Sequence, residues 1–92
     1  MPAYITAEFT PQNEEMLQTY SAKAASIISE YGGEFLIKAP IQILGGSNNY
    51  EYKAIIEFPS KEQAQSWFDS PQYQALIDVR DQSMESSFLL IG

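Results

Sequence analysis

The chain holds one arginine, no histidine and no cysteine in 92 residues, so any chemistry it performs rests on a short set of groups. Arg80 follows Tyr73, Leu76 and Ile77 at helical spacing. Its guanidinium offers a planar two-pronged fork to a carboxylate, which makes it a candidate catalytic or ligand-binding residue that clamps a small acid. An ion pair with Glu57, Glu85 or the adjacent Asp81 is the plainer alternative. Glu57, just before Phe58-Pro59, is the second catalytic candidate. A half-buried carboxylate there has a raised pKa and can act as a general base, whereas a solvated one is ordinary. Tyr4, Tyr20, Tyr31, Tyr73 and Trp67 add hydroxyl and indole donors to otherwise apolar stripes. Such groups line aromatic-walled ligand pockets and also fill cores. Without histidine or cysteine the usual zinc ligands, thiolate nucleophiles and the common axial ligands of haem are missing. Gly45-Gly46 lacks the following helix and downstream acidic residue of a nucleotide fingerprint. The expectation is a site with no cofactor and no metal.

Those residues must be positioned by short elements. Tyr4–Phe9 alternates, with Ile5, Ala7 and Phe9 on one side, and reads as a strand. Thr10-Pro11 predicts a helix start, with Thr10 as the cap and Glu14 and Glu15 near the positive helix end. Met16, Leu17, Tyr20, Ala24, Ile27, Ile28 and Tyr31 form one apolar helical stripe that Gly32-Gly33 terminates. Glu34 to Leu44 reads as a second strand interrupted at Pro40, which cannot donate to a ladder. The Gly45–Asn49 loop joins it in a hairpin to Tyr50–Phe58. Ser60 followed by Gln63 fits a capping box, so a helix carrying Ala64, Trp67 and Phe68 runs to about Asp69. Ser70-Pro71 starts a further helical piece bearing Tyr73, Leu76, Ile77 and Arg80, and Phe88–Ile91 closes the chain as a strand.

Strand, helix, strand, strand, helix, strand is the split βαβ plan, an α+β ferredoxin-like βαββαβ fold in a single domain spanning residues 1–92. Its antiparallel sheet carries both helices on one face. The other face is left bare, with Tyr4, Thr6, Leu36, Ile55, Leu89 and Ile91 as its candidates. An exposed apolar face of that kind predicts a homodimer joined through the sheet faces. A slip of one residue in register exchanges the two sets.

Several short segments then fall into a familiar order: Tyr31-Gly32-Gly33 followed by Phe35-Leu36-Ile37-Lys38, Ile56-Glu57-Phe58-Pro59-Ser60, and Ala64, Trp67, Ser70-Pro71-Gln72-Tyr73 and Arg80. With Tyr4 and Tyr20 they resemble the uncharacterised domain family numbered thirteen-thirty over nearly the whole chain. The resemblance implies a ferredoxin-like subunit of a dimeric α/β barrel, in a superfamily that includes cofactor-free monooxygenases, small isomerases and haem-binding members. It brings no established activity. Arg80 stands where the family pattern has an arginine. Glu34 replaces a usual basic residue, and Lys38-Ala39-Pro40 replaces a common run of arginine and glycines. The ligand-binding candidates are thus Tyr4, Tyr20, Lys38, Trp67, Tyr73 and Arg80, with Lys38 offering a point charge where a fork is usual.

Composition narrows the partners. Twelve acidic and five basic residues give a net charge of −7, which repels phosphate backbones and anionic lipid, so no nucleic acid and no membrane partner is expected. The start Met1-Pro2-Ala3-Tyr4-Ile5 lacks a secretory pattern and no apolar run reaches the ~20 residues of a span, so a cytoplasmic protein is expected. Three functional classes stay open: an enzyme acting on a small organic acid or aromatic without metal or nucleotide, a noncatalytic small-molecule binder, and a dimeric interaction module.

Overall fold

In the computed structural model, which describes all 92 residues, β1 spans Ala3–Pro11 and lies inside a four-stranded antiparallel sheet. The other strands are β2 (Glu34–Pro40), β3 (Tyr52–Phe58) and β4 (Met84–Ile91), in the order β2-β3-β1-β4. Helices α1 (Glu14–Glu30), α2 (Lys61–Asp69), α3 (Pro71–Gln74) and α4 (Ile77–Ser83) cover one face. This is the ferredoxin-like plan, and its cause is the alternation in the strands. Ala3, Ile5, Ala7 and Phe9 of β1 and Ala54, Ile56 and Phe58 of β3 are all buried beneath the helices.

The register places the residues of the open face in rows. Thr6 stands opposite both Ile55 and Leu89, and Tyr4 opposite both Glu57 and Ile91. The expected bare-face residues do lie there, with Leu36, Leu89 and Ile91 each a little over half exposed. Strand β2 departs from simple alternation. Phe35 pairs with Ile56, yet Ile37 pairs with Ile55, so Leu36 is an extra residue in a bulge. The bulge turns Ile37 and Ala39 to the open face and Lys38 to the helix face, the reverse of what unbroken alternation from Phe35 predicts.

Element boundaries differ from expectation in physical ways. Thr10 and Pro11 stay in β1, opposite Glu85 and Met84, and the α1 cap is Asn13, whose Oδ1 accepts from the Met16 N–H at 3.1 Å. Strand β2 stops at Pro40, and residues 41–51 form a connection that bares Ile43 and Leu44. The helical piece after Pro71 is divided into α3 and α4. The Ser60 cap is as expected, with the Gln63 N–H donating to its Oγ at 3.1 Å.

The double glycine that ends α1 does two separate jobs. Gly32 takes φ 79°, the left-handed conformation, and the Gly32 and Gly33 N–H groups bond the Ser29 and Ile28 carbonyls at 3.0 and 2.9 Å. These are the two bonds of a Schellman termination. Gly33 is needed for space: a Cβ there would sit 2.6 Å from the Phe58 ring and 2.7 Å from Ile28 Cγ2, both core side chains. Gly33→Ala is therefore expected to cost about 1–3 kcal/mol of stability through overpacking, read as a lowered urea midpoint. An unchanged midpoint would show that Phe58 and Ile28 yield freely.

Candidate functional site

Trp67 and Tyr73 are both fully buried, and their ring centroids are 4.3 Å apart. The α2–α3 junction sets that distance. Ser70 ends α2 and caps α3, its Oγ donating to the Trp67 carbonyl at 2.8 Å and accepting from the Tyr73 N–H at 3.1 Å. Phe58 and Phe68 complete the aromatic group around Trp67, at 5.7 and 6.0 Å.

A chain of polar contacts leaves this group. The Tyr73 and Tyr20 hydroxyls are 2.6 Å apart, and Arg80 Nη1 donates to the Tyr73 oxygen at 3.2 Å. Arg80 Nε donates to Asp81 at 3.2 Å, and the guanidinium lies 4.9 Å from the Phe88 ring centroid. Of the ion pairs weighed from the sequence, the one with Asp81 forms. Burial raises the Tyr20 pKa far above the ordinary phenol value, and the neighbouring Tyr73 adds to the effect. Tyr20 is therefore a neutral hydrogen-bonding group throughout the physiological range.

Unfilled space flanks these rings in two places. A cavity of about 40 Å³ lies between the sheet and α1, and Tyr20, Lys38 and Trp67 are in its wall together with Phe9, Phe35, Met84 and Phe88. Lys38 comes to it from the exposed end of β2, its ammonium 5.5 Å from the Phe9 ring centroid. A pocket of about 190 Å³ opens between α2 and the β1–β4 pair, walled by Ile5, Ala64, Gln65, Phe68, Phe88, Leu89 and Leu90. Phe88 belongs to both walls. The Trp67 indole nitrogen is buried and has no hydrogen-bond partner.

The expected site residues are thus divided. Tyr20, Lys38 and Trp67 share one cavity, with Tyr73 and Arg80 behind it. Tyr4 and Glu57 stand side by side on the open face, across the sheet. There the neighbouring Glu57 carboxylate, as an acceptor and as a negative charge, raises the Tyr4 pKa. Phe68, Phe88 and Leu90 are pocket residues that the sequence reading passed over. The available signal was the position of Phe88 and Leu90 on the same side of β4 as its helix-facing residues. No group of three or more acidic, histidine or cysteine side chains gathers as a metal site.

Comparison with known proteins follows the architecture. A family profile described as "Domain of unknown function (DUF1330)" matches residues 2–92. No curated protein matches the sequence. Among solved structures, a protein of unknown function from Rhodopseudomonas palustris is similar at TM-score 0.76 and 16% identity, over 98% of this chain and 80% of that one. SnoaB, a cofactor-independent oxygenase from Streptomyces nogalater, is similar at TM-score 0.72 and 12% identity, over 99% and 91%. A dimeric ferredoxin-like protein of unknown function from Thermobifida fusca gives TM-score 0.66 and 9% identity, over 100% and 91%. At these identities the likeness is one of fold.

The buried phenol makes a pH prediction. An unfolded tyrosine ionises near pH 10, whereas folded Tyr20 holds its proton to higher pH. The unfolded state therefore releases the proton first, and the stability Tyr20 contributes falls as pH rises above about 10, by about 1.4 kcal/mol per pH unit. Urea unfolding at pH 9 and pH 11 should show the wild type losing about that much more than Tyr20→Phe. Equal losses would mean that Tyr20 ionises in the folded state.

Proposed function

This chain belongs to the DUF1330 family of unknown function, and on that premise we propose that it is a homodimeric α/β barrel that binds a small aromatic molecule between its sheet and helices. The observation that carries the reading is the pocket of about 190 Å³ between α2 and the β1–β4 pair, six of whose seven lining residues are hydrophobic. Cavities of roughly 150 Å³ lined by Leu, Ile and Phe admit a benzene ring. A single ring therefore fits the pocket, and Phe68 and Phe88 offer it aromatic faces.

Between the two ligand classes considered, the geometry favours a neutral aromatic over an organic acid. The Arg80 fork is engaged by Tyr73 and Asp81 and stacked on Phe88, and Arg80 is not in the pocket wall. A carboxylate among Ile5, Phe68, Phe88 and Leu90 would lose its hydration without a partner. Binding is favoured over turnover because Glu57, the general-base candidate, is on the opposite side of the sheet. The likeness to SnoaB carries over the fold and not the oxygenase chemistry.

The homodimer rests on a separate observation. Ile37, Leu89 and Ile91 on the open face, with Leu36 at its bulged edge, are each more than half exposed. An apolar face of this kind on a small domain gains by meeting a second copy of itself. The purely noncatalytic interaction module, the other reading, needs this face and no pocket.

Two measurements test the proposal. Methyl resonances of Ile5 and Leu90 should shift on titration with toluene, and benzoate should bind at least about tenfold more weakly. No shift with toluene at millimolar concentration would leave only the interaction module. Light scattering should give twice the chain mass for the wild type and the single chain mass for Leu89→Glu, because a carboxylate at the centre of a dry interface is unpaired. A wild-type monomer would end the dimer reading and leave the pocket untouched.

A further inference from the structure

The connection between β2 and β3 is longer than its topology needs. Neighbouring antiparallel strands are usually joined by roughly two to five residues, whereas here Ile41 to Glu51 intervene. The Ile41 N–H donates to the Glu51 carbonyl at 2.9 Å and closes the neck of this loop. The surplus is not packed onto the body of the chain. Leu44 is 93% exposed and Ile43 53%. A Cβ added to Gly45 or Gly46 would meet no atom within 4 Å, and Gly46 takes φ 75°, which turns the tip back. Two adjacent large apolar side chains thus stand in open space before a tight turn, and nothing in the fold of a single chain uses them.

Side chains of β1 fasten the returning limb. Asn48 Nδ2 donates to Glu8 Oε2 at 2.6 Å, and the Glu51 N–H donates to Thr10 Oγ1 at 3.2 Å. Asn48 Oδ1 accepts from the Tyr50 N–H at 2.7 Å, which orients its amide toward Glu8. Glu8 and Thr10 have the strand parity of Tyr4 and Thr6, so they belong to the open face. An amide that reaches the Glu8 carboxylate comes from that side of the sheet. The apolar tip therefore belongs to a limb fastened on the side that bares Ile37, Leu89 and Ile91.

We infer that Ile43 and Leu44 form an arm that packs on a second copy of the chain and clasps one end of the sheet-to-sheet contact. This deepens the homodimer reading above and rests on it. In a two-fold dimer each copy gives and receives the same contact, so an apolar tip and an apolar row on one chain supply both sides. The tip continues that row, which makes a second copy the occupant that the chain itself already matches. An anionic bilayer is a poor alternative for the tip, because the chain carries a net charge of −7 and Glu8 and Glu51 stand at the base of the arm.

Leu44 buries almost nothing within the single chain, so its replacement leaves the fold intact and reads the contact alone. Sedimentation over a dilution series should show the dimer dissociation constant of Leu44→Ser raised about a hundredfold, since two leucines leave each dimer. Asn48→Ala, which frees the limb from Glu8, should raise it about tenfold. Isotope-filtered NOE spectra of wild-type dimers, mixed from ¹³C-methyl-labelled and unlabelled copies, should join the Leu44 methyls to protons of the other copy, as they should for Leu89. Leu89 contacts without Leu44 contacts, or an unchanged constant in Leu44→Ser, would overturn the arm while the sheet-to-sheet dimer stands. A wild-type monomer, or a dimer in which neither leucine touches the other copy, would remove the sheet-face reading itself.

Discussion

Tyr73 ties together parts of the chain that are far apart in sequence. Its ring packs at a tilt against Trp67, and its hydroxyl lies between the hydroxyl of Tyr20 and the guanidinium of Arg80. Helix α3, which carries it, is only four residues long and cannot be stable by itself. It persists because Ser70 fixes its start and because Tyr73 is fully buried among rings. Taking Tyr73 away would unfasten α1 from α3, free Arg80 from its acceptor and unpack Trp67. Arg80 then has no reason to hold its place over Phe88, and the wall of the pocket goes with it. The single arginine is read best as a brace that connects this node to β4.

The Leu36 bulge exerts a second constraint at the other end of the molecule. Without the extra residue, Lys38 would follow the strand parity to the open face, and Ile37 would go under α1. With it, an ammonium group meets the Phe9 ring at the mouth of the cavity, and an isoleucine is added to the exposed apolar row. One inserted residue thus puts a charge at the entrance on the helix side and an apolar group on the bare side.

The plan of the fold was legible in the sequence because burial here is one-sided. Ile5, Ala7 and Phe9 alternate with Tyr4, Thr6 and Glu8, and α1 has one continuous stripe, so order and facing followed from periodicity. The Gly32-Gly33 and Ser60…Gln63 signals worked because they are local, resting on bonds within four or five residues. The bulge was not legible: Phe35-Leu36-Ile37 is apolar throughout, and periodicity carries no mark of which residue is extra. Thr10-Pro11 misled for a related reason, since proline fits a helix start and the end of a strand equally well. At the candidate site, Tyr20, Trp67, Tyr73 and Arg80 were recognisable by type. Their separation from Tyr4 and Glu57 was settled by the register of β1 against β3, a tertiary fact.

The two sides of this sheet solve different problems with similar materials. On the helix side, aromatic rings pack closely, and the small cavity left beneath α1 is lined by apolar side chains apart from Ser21 and Lys38. On the open side, Ile37, Ile55, Thr6 and Leu89 form a row with no cover from the chain's own helices. A chain of this length cannot supply a second layer of helices, so its own elements leave the open side uncovered, and the unfilled space between layers lies on the helix side. The position of Glu57 follows from this division. On the open face it stands opposite Tyr4 at the border of the apolar row, with the sheet between it and the pocket. The buried polar groups on the helix side bind one another, Tyr20 to Tyr73 to Arg80 and on to Asp81, while the buried Trp67 indole N–H has no partner.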